Sequence, residues 1–292
     1  MTSPLNAMSV DVEDYFQVQA FAGVIDRASW DSIPCRVERN TELVLDTFAK
    51  AGVQATFFTL GWVAERYPAL VRRIVEAGHE LASHGHGHAL VHTLSPAQFR
   101  EDLMRAKDVL ESAGSVAVQG YRAPTFSIGP RNPWAFDVLA ETGHRYSSSI
   151  YPVRHDLYGV PHAPRFPFRP GPGSLLEIPM TTLRLGGRNL PIAGGGYFRL
   201  MPYRLFSGLL RRFHGMEHKP SVFYFHPWEV DPAQPRVSAA PGRARFRHGV
   251  NLHAMLPRVR ELLQDFRWGR IDQVFAAELA QPAALDVWSP VA

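Results

Sequence analysis

A chain of 292 residues with 46% apolar side chains can bury the core of one large α/β domain or two small ones. Its single cysteine, Cys35, excludes an internal disulfide framework and a cysteine-built zinc knuckle. A net charge of +4, carried almost wholly by scattered arginines with one dense run at 243–248, offers no basic stripe of the kind that marks a nucleic-acid-binding module.

In chain order the pattern is strand, then helix, repeated. The N-terminal residues carry neither a basic leader nor a long apolar one, and no segment is long and apolar enough to span a bilayer, so a cytoplasmic protein is expected. Ala7–Val12 reads as a buried strand. A helix is predicted over Thr41–Lys50, with Asn40 as its cap and Gly52 just past its end. Gln54–Leu60 is β-rich, Pro68–Ala77 is amphipathic and stops at Gly78, and Glu80–Ser83 is a short strand. Ser95-Pro96 opens a helix running to about Ser112, because a serine cap followed by a first-turn proline suits a helix start. Val116–Tyr121 is strand-like, Pro133–Thr142 and Pro202–Phe213 are helical, and Ser221–His226 is an apolar strand ending in a histidine. Leu252–Phe266 reads as a last helix and Gly269–Val274 as a last short strand. Residues 151–200, with Gly194-Gly195-Gly196, and 228–250 break the rhythm and read as long loops with short strands. Alternating strands and helices imply parallel pairing, hence an α/β barrel or open sheet in a single domain, with a C-terminal extension at about 228–292.

Four polar groups fall where strands end, which is where α/β proteins keep their chemistry. Asp11, Glu13 and Asp14 put three carboxylates in four residues, a repulsion that a divalent cation would relieve. Ser83-His84-Gly85-His86-Gly87-His88 places His84 and His88 four residues apart, able to meet one metal ion; the competing reading is a glycine-rich loop with incidental histidines. Two imidazoles and one carboxylate make the three-ligand set of an open catalytic site; His86 is left outside it. Arg122 can hold a carboxylate through its guanidinium fork. His226, before Pro227, is placed for proton transfer.

The order of these groups over residues 9–228 resembles the polysaccharide deacetylases of the NodB-homology type, carbohydrate esterase family four. Residues 9–18, 226–232 and 245–252 look like the subfamily found in bacterial exopolysaccharide gene clusters. The resemblance implies a distorted (β/α) barrel with about seven parallel strands, one divalent metal and removal of N-acetyl groups from a glycan. It implies Asp11 as general base, His226 as general acid and Arg122 as the residue that orients Asp11. His84, His88 and Asp14 would hold the metal, with Glu13 as the alternative to Asp14 because Val12 and Glu13 separate the two aspartates. Tyr121, Pro124, His155 and Trp228 are candidate substrate-binding residues. Zn is the default ion for such ligands, with Co, Ni, Fe and Mn admitted. The aspartate such proteins often carry near residues 146–151 is absent, and Ser147 stands there. Two other functions compete: a small-amide hydrolase of the allantoinase-like type, and a non-catalytic glycan-binding relative. The expected partner is an N-acetylated glycan, with no nucleic acid and no membrane span; oligomeric state is left open.

Overall fold

The computed structural model describes residues 4–289. Its strands are β1 (Leu5–Val12), β2 (Thr56–Thr59), β3 (Glu80–Ser83), β4 (Gly120–Tyr121), β5 (Tyr146–Ser147), β6 (Leu176–Glu177), β7 (Thr182–Leu185), β8 (Arg188–Pro191), β9 (Val222–Phe225) and β10 (Arg267–Gly269). Seven of them run parallel in the order β9-β1-β2-β3-β4-β5-β6, a sheet curled into a half-barrel, and β10 joins it by pairing with Leu5–Ala7 at the start of β1. β7 and β8 form a separate antiparallel hairpin.

The sequence explains the layers. β1, β2 and β9 are rich in apolar residues and buried on both faces, as strands of a parallel sheet covered by helices should be; β9 is apolar throughout, while β1 also buries Asn6, Ser9 and Asp11. The helix Val37–Ala51 turns Val37, Val44, Leu45 and Phe48 inward and ends at Gly52 in the left-handed conformation. The helix Pro96–Gly114 opens with the predicted serine: Ser95 and Gln98 form a reciprocal capping box. Large aromatics fill the space between the layers, among them Phe48, Phe57, Phe198, Phe223 and Trp268.

Several sequence boundaries move. Asn40 sits inside the first helix instead of capping it, and its amide reaches Asp231. Of Val116–Tyr121 only Gly120–Tyr121 pairs as strand. Ile271–Val274 is helical, and the strand lies just before it, at β10. The stretch after residue 228 therefore contributes a strand to the common sheet. Residues 228–250 also contain the helix Gly242–Gly249, whose sequence GRARFRHG has too little apolar periodicity to announce itself.

Candidate active site

All four polar groups lie at the C-terminal ends of parallel strands and line one pocket of about 370 Å³ or stand directly behind its wall. Register places them. Asp11 is the penultimate residue of β1, His84 follows β3, Arg122 follows β4 and His226 follows β9.

The carboxylate nearest the histidines is Glu13. Ligand atoms of Glu13, His84 and His88 lie within 4.8 Å of one another, and all three residues are buried. Glu13 Oε2 stands 2.7 Å from His88 Nε2, yet among the described residues this oxygen receives no hydrogen bond of acceptable geometry. A buried carboxylate oxygen without a donor is costly unless a cation satisfies it. Burial pushes the Glu13 pKa up, but His88, His226 and His84 outweigh it and bring it down to about 2, so the group is anionic. His84 Nδ1 faces the Arg122 carbonyl at 2.8 Å; a carbonyl can only accept, so Nδ1 carries the proton and Nε2 keeps its lone pair. Burial lowers the His84 pKa to about 4, leaving a neutral imidazole, the ligating form. Gly85, at φ 75°, turns the chain between the two histidines, and a side chain there would press on Asp102. His88 itself is left-handed at φ 56°, an uncommon conformation for a non-glycine residue and one that collects at functional sites. This donor set fits one divalent ion of the Zn type: two neutral imidazoles, one anionic carboxylate, and room for further ligands on the pocket side.

Asp14 does not join the cluster. Its carboxylate turns toward the start of the first helix and accepts backbone hydrogen bonds from Tyr15 (2.8 Å), Val37 (2.8 Å) and Arg36. β1 ends at Val12, and the chain turns there, with the Glu13 N–H donating to the Asp11 carbonyl at 3.0 Å; Asp11 and Glu13 line the pocket while Asp14 turns to the first helix. The two-residue offset that separates the aspartates thus brings the glutamate to the histidines. His86 also stays out; its Nε2 lies 3.0 Å from Glu65 Oε1, on the helix side of the loop.

Asp11 is held by Arg122. The guanidinium is fully buried, 2.6 Å from Asp11 Oδ1, and it also donates to Ser9 Oγ, the Ser148 carbonyl and Ser148 Oγ. Its carbon lies 4.1 Å from the centre of the Phe58 ring. One residue therefore fixes two functional groups, Asp11 through its side chain and His84 through its carbonyl.

His226 faces the cluster from the opposite wall, with Nε2 3.4 Å from Glu13 Oε1. Its Nδ1 lies 2.8 Å from Glu229 Oε1. Burial alone would lower its pKa, but Glu13 and Glu229 outweigh burial and raise it to about 9, so the ring is cationic at neutral pH. Trp228 donates toward Glu13 Oε1 at 3.3 Å and stacks on His226 and His248 at centroid distances of 5.1 and 4.2 Å. With only 6% of Trp228 exposed, the ring is engaged in packing and leaves little surface for a sugar. Trp228 still lines the pocket, whereas Tyr121 and Pro124 do not: Tyr121 packs on Phe99 and His144, and the pocket lining beyond β4 is Ala123, Thr125 and Phe126. His155 does line the pocket, stacked on Tyr158.

Sequence reasoning missed Glu229, Arg199 and His248. Glu229 follows His226 by three residues, a spacing that returns a glutamate side chain to the start of a turn, and that spacing could have flagged it. No local signal marks Arg199 or His248, which come to the site from separate segments.

An α/β half-barrel with a buried histidine–carboxylate cluster, an arginine-held aspartate and a facing histidine defines a hydrolase-type site. Comparison with known proteins narrows the class. Residues 28–147 match the family model "Polysaccharide deacetylase", and residues 148–276 match a domain of unknown function, DUF3473. The chain is 31% identical over 147 residues to a chitooligosaccharide deacetylase of Sinorhizobium fredii, covering 50% of this chain and 62% of that protein. It is 31% identical over 108 residues to a chitooligosaccharide deacetylase of Bradyrhizobium sp., covering 37% and 47%. It is 30% identical over 84 residues to a peptidoglycan-N-acetylglucosamine deacetylase of Bacillus cereus, covering 29% and 30%. The chain thus spans less than two thirds of each of these relatives. A crystal structure provisionally described as a polysaccharide deacetylase from Mycobacterium smegmatis superposes with a TM-score of 0.63 at 20% identity, covering 100% of this chain and 94% of that one, which shows a shared fold. The family model and the relatives support the polysaccharide deacetylase family. The boundary at residue 147 cuts through the site: His84, His88 and Arg122 precede it, and His226 and Glu229 follow it.

Proposed function

We propose that this protein is a metal-dependent hydrolase that removes N-acetyl groups from a polysaccharide or glycan intermediate in bacterial exopolysaccharide biosynthesis. The observation that carries the reading is the convergence on one pocket of an anion-histidine cluster, an oriented carboxylate and a protonated histidine on the opposite wall. The glycan class draws on the family match and the named relatives, and the exopolysaccharide setting on the likeness of residues 9–18, 226–232 and 245–252 to that subfamily.

An amide resists hydrolysis because its carbonyl is a poor electrophile and its amine a poor leaving group. A divalent ion held by Glu13, His84 and His88 would act as a Lewis acid on the acetyl carbonyl and lower the pKa of water. Asp11, fixed by Arg122, takes the proton from the attacking water. Arg122 keeps Asp11 aimed without reaching the substrate itself, because it is wholly buried. His226 protonates the departing amine. The products are acetate and a free amino sugar. His155, on the pocket wall, is placed to contact the glycan.

The test is acetate release from N-acetylglucosamine oligomers by the wild type and by His84→Ala. The proposal expects release by the wild type and its loss in the variant; full activity in His84→Ala would contradict the metal role. Acetate released from a small cyclic amide and from no glycan would favour the small-amide reading instead.

A further inference from the structure

We propose that Glu229 and Arg199 form a positioning pair that sets the tautomer and direction of His226, in the role for which Ser147 leaves no carboxylate. The inference deepens the proposed deacetylase reading and rests on it.

The geometry is closed on every side. Glu229 Oε1 accepts from the His226 backbone N–H (3.0 Å) and from His226 Nδ1 (2.8 Å), while Oε2 accepts from Arg199 Nε (2.7 Å). Glu229 and Arg199 are each 1% exposed. Arg199 spends its remaining donors on the carbonyls of Arg247, His248 and Val250. The guanidinium therefore cannot turn without breaking the end of the Gly242–Gly249 helix that walls the pocket. The second glycine of Gly194-Gly195-Gly196 is required here as well, because a Cβ at Gly195 would collide with the Glu229 carboxylate. Ser147 cannot substitute: its hydroxyl is bound to Ser149 Oγ, at the end of β5.

A carboxylate on Nδ1 forces the proton there and leaves Nε2 as the atom that faces the reacting bond. In the step assigned to His226, the proton on Nε2 passes to the amine nitrogen as the C–N bond breaks. The bond's electron pair stays on nitrogen, and the acyl group leaves as acetate. His226 ends neutral, with its remaining proton still on Nδ1 and held by Glu229. Glu229 touches neither substrate nor metal ligand in this scheme.

The experiment separates positioning from folding by the leaving group. An N-acetyl sugar needs its amine protonated; 4-nitrophenyl acetate does not, because nitrophenolate departs unaided. Glu229→Gln is expected to lower kcat on N-acetylglucosamine oligomers about 100-fold, the low end of what a general acid contributes. KM, bound zinc and aryl acetate turnover should stay within about threefold. Glu229→Asp should restore part of the loss, and Arg199→Lys, which keeps the charge and loses the fork, should show a smaller loss with the same selectivity. Equal loss on both substrates, or none on the amide, overturns the proposal. A readout independent of turnover is the low-field Nδ1 proton of His226 in the NMR spectrum, present in the wild type and absent in Glu229→Gln; its persistence in the variant also overturns it. A wild type that shows this resonance and releases no acetate from any glycan refutes the deacetylase reading while upholding the positioning of His226.

Discussion

Which carboxylate completes the metal site can be decided by two single substitutions with opposite consequences. Glu13→Gln keeps size and polarity but removes the only anionic member of the cluster with His84 and His88. Loss of a group that merely orients a ligand costs 10- to 100-fold in metal affinity, so loss of a direct ligand should cost at least ~100-fold, about 2.7 kcal/mol. Without metal it should also destabilise the fold, since the anion that His88, His226 and His84 hold at a pKa of about 2 is lost. Asp14→Asn should spare the zinc. It weakens the carboxylate's hydrogen bonds from Tyr15, Arg36 and Val37, whose charge-assisted character is worth more than a neutral pair. Burial already raises the Asp14 pKa against those bonds, so the net cost is at the lower end, about 2 kcal/mol. Zinc affinity in that variant should stay within about threefold. The assays are competition with a chromophoric chelator for zinc and urea unfolding of the metal-free protein. Retention of zinc by Glu13→Gln together with its loss in Asp14→Asn would refute the assignment of Glu13 as the carboxylate ligand.

Three further outcomes follow from the same structure. Arg122→Met leaves Asp11 buried without its partner, so stability should fall by about 3–5 kcal/mol and acetate release at least 100-fold, read by urea unfolding and initial rates. His86→Ala should keep zinc binding within threefold and cost only about 1 kcal/mol, since His86 bonds Glu65 and not the metal cluster; loss of zinc would return His86 to the ligand set. His79 accepts the Ala55 backbone N–H on Nδ1, and burial lowers its pKa from 6.5 to about 4. A depressed histidine pKa contributes stability that is fully present above pH 6.5 and lost as pH falls through about 4. The stability difference between the wild type and His79→Ala should therefore shrink by on the order of 2 kcal/mol from pH 7 to pH 4. A difference that is constant with pH would contradict it.

The sequence made most of the central sheet legible because β1, β2 and β9 are rich in apolar and β-branched or aromatic residues and because Ser95-Pro96 and Gly52 mark helix ends by their backbone chemistry. It was less informative where tertiary context decides. β4 is only two residues long, β10 is held by its pairing with β1, and the Gly242–Gly249 helix is tied in by Arg199 rather than by an apolar face. Within the site, spacing brought out His84 and His88, position at strand ends brought out Arg122 and His226, and the family resemblance supplied their roles. The choice between Glu13 and Asp14 needed the direction of each side chain in the turn that follows β1. The link from Glu229 to Arg199 joins segments thirty residues apart and had no local signature.

The central claim is that acetate release depends on one ion held by the Glu13–His84–His88 cluster. Stripping the protein of metal, returning zinc in graded amounts, and measuring acetate release from an N-acetylglucosamine oligomer against zinc bound per chain tests it directly. A line through zero that saturates at one ion per chain is predicted; substantial release at zero bound metal, or none at full occupancy across N-acetylated glycans, would contradict it.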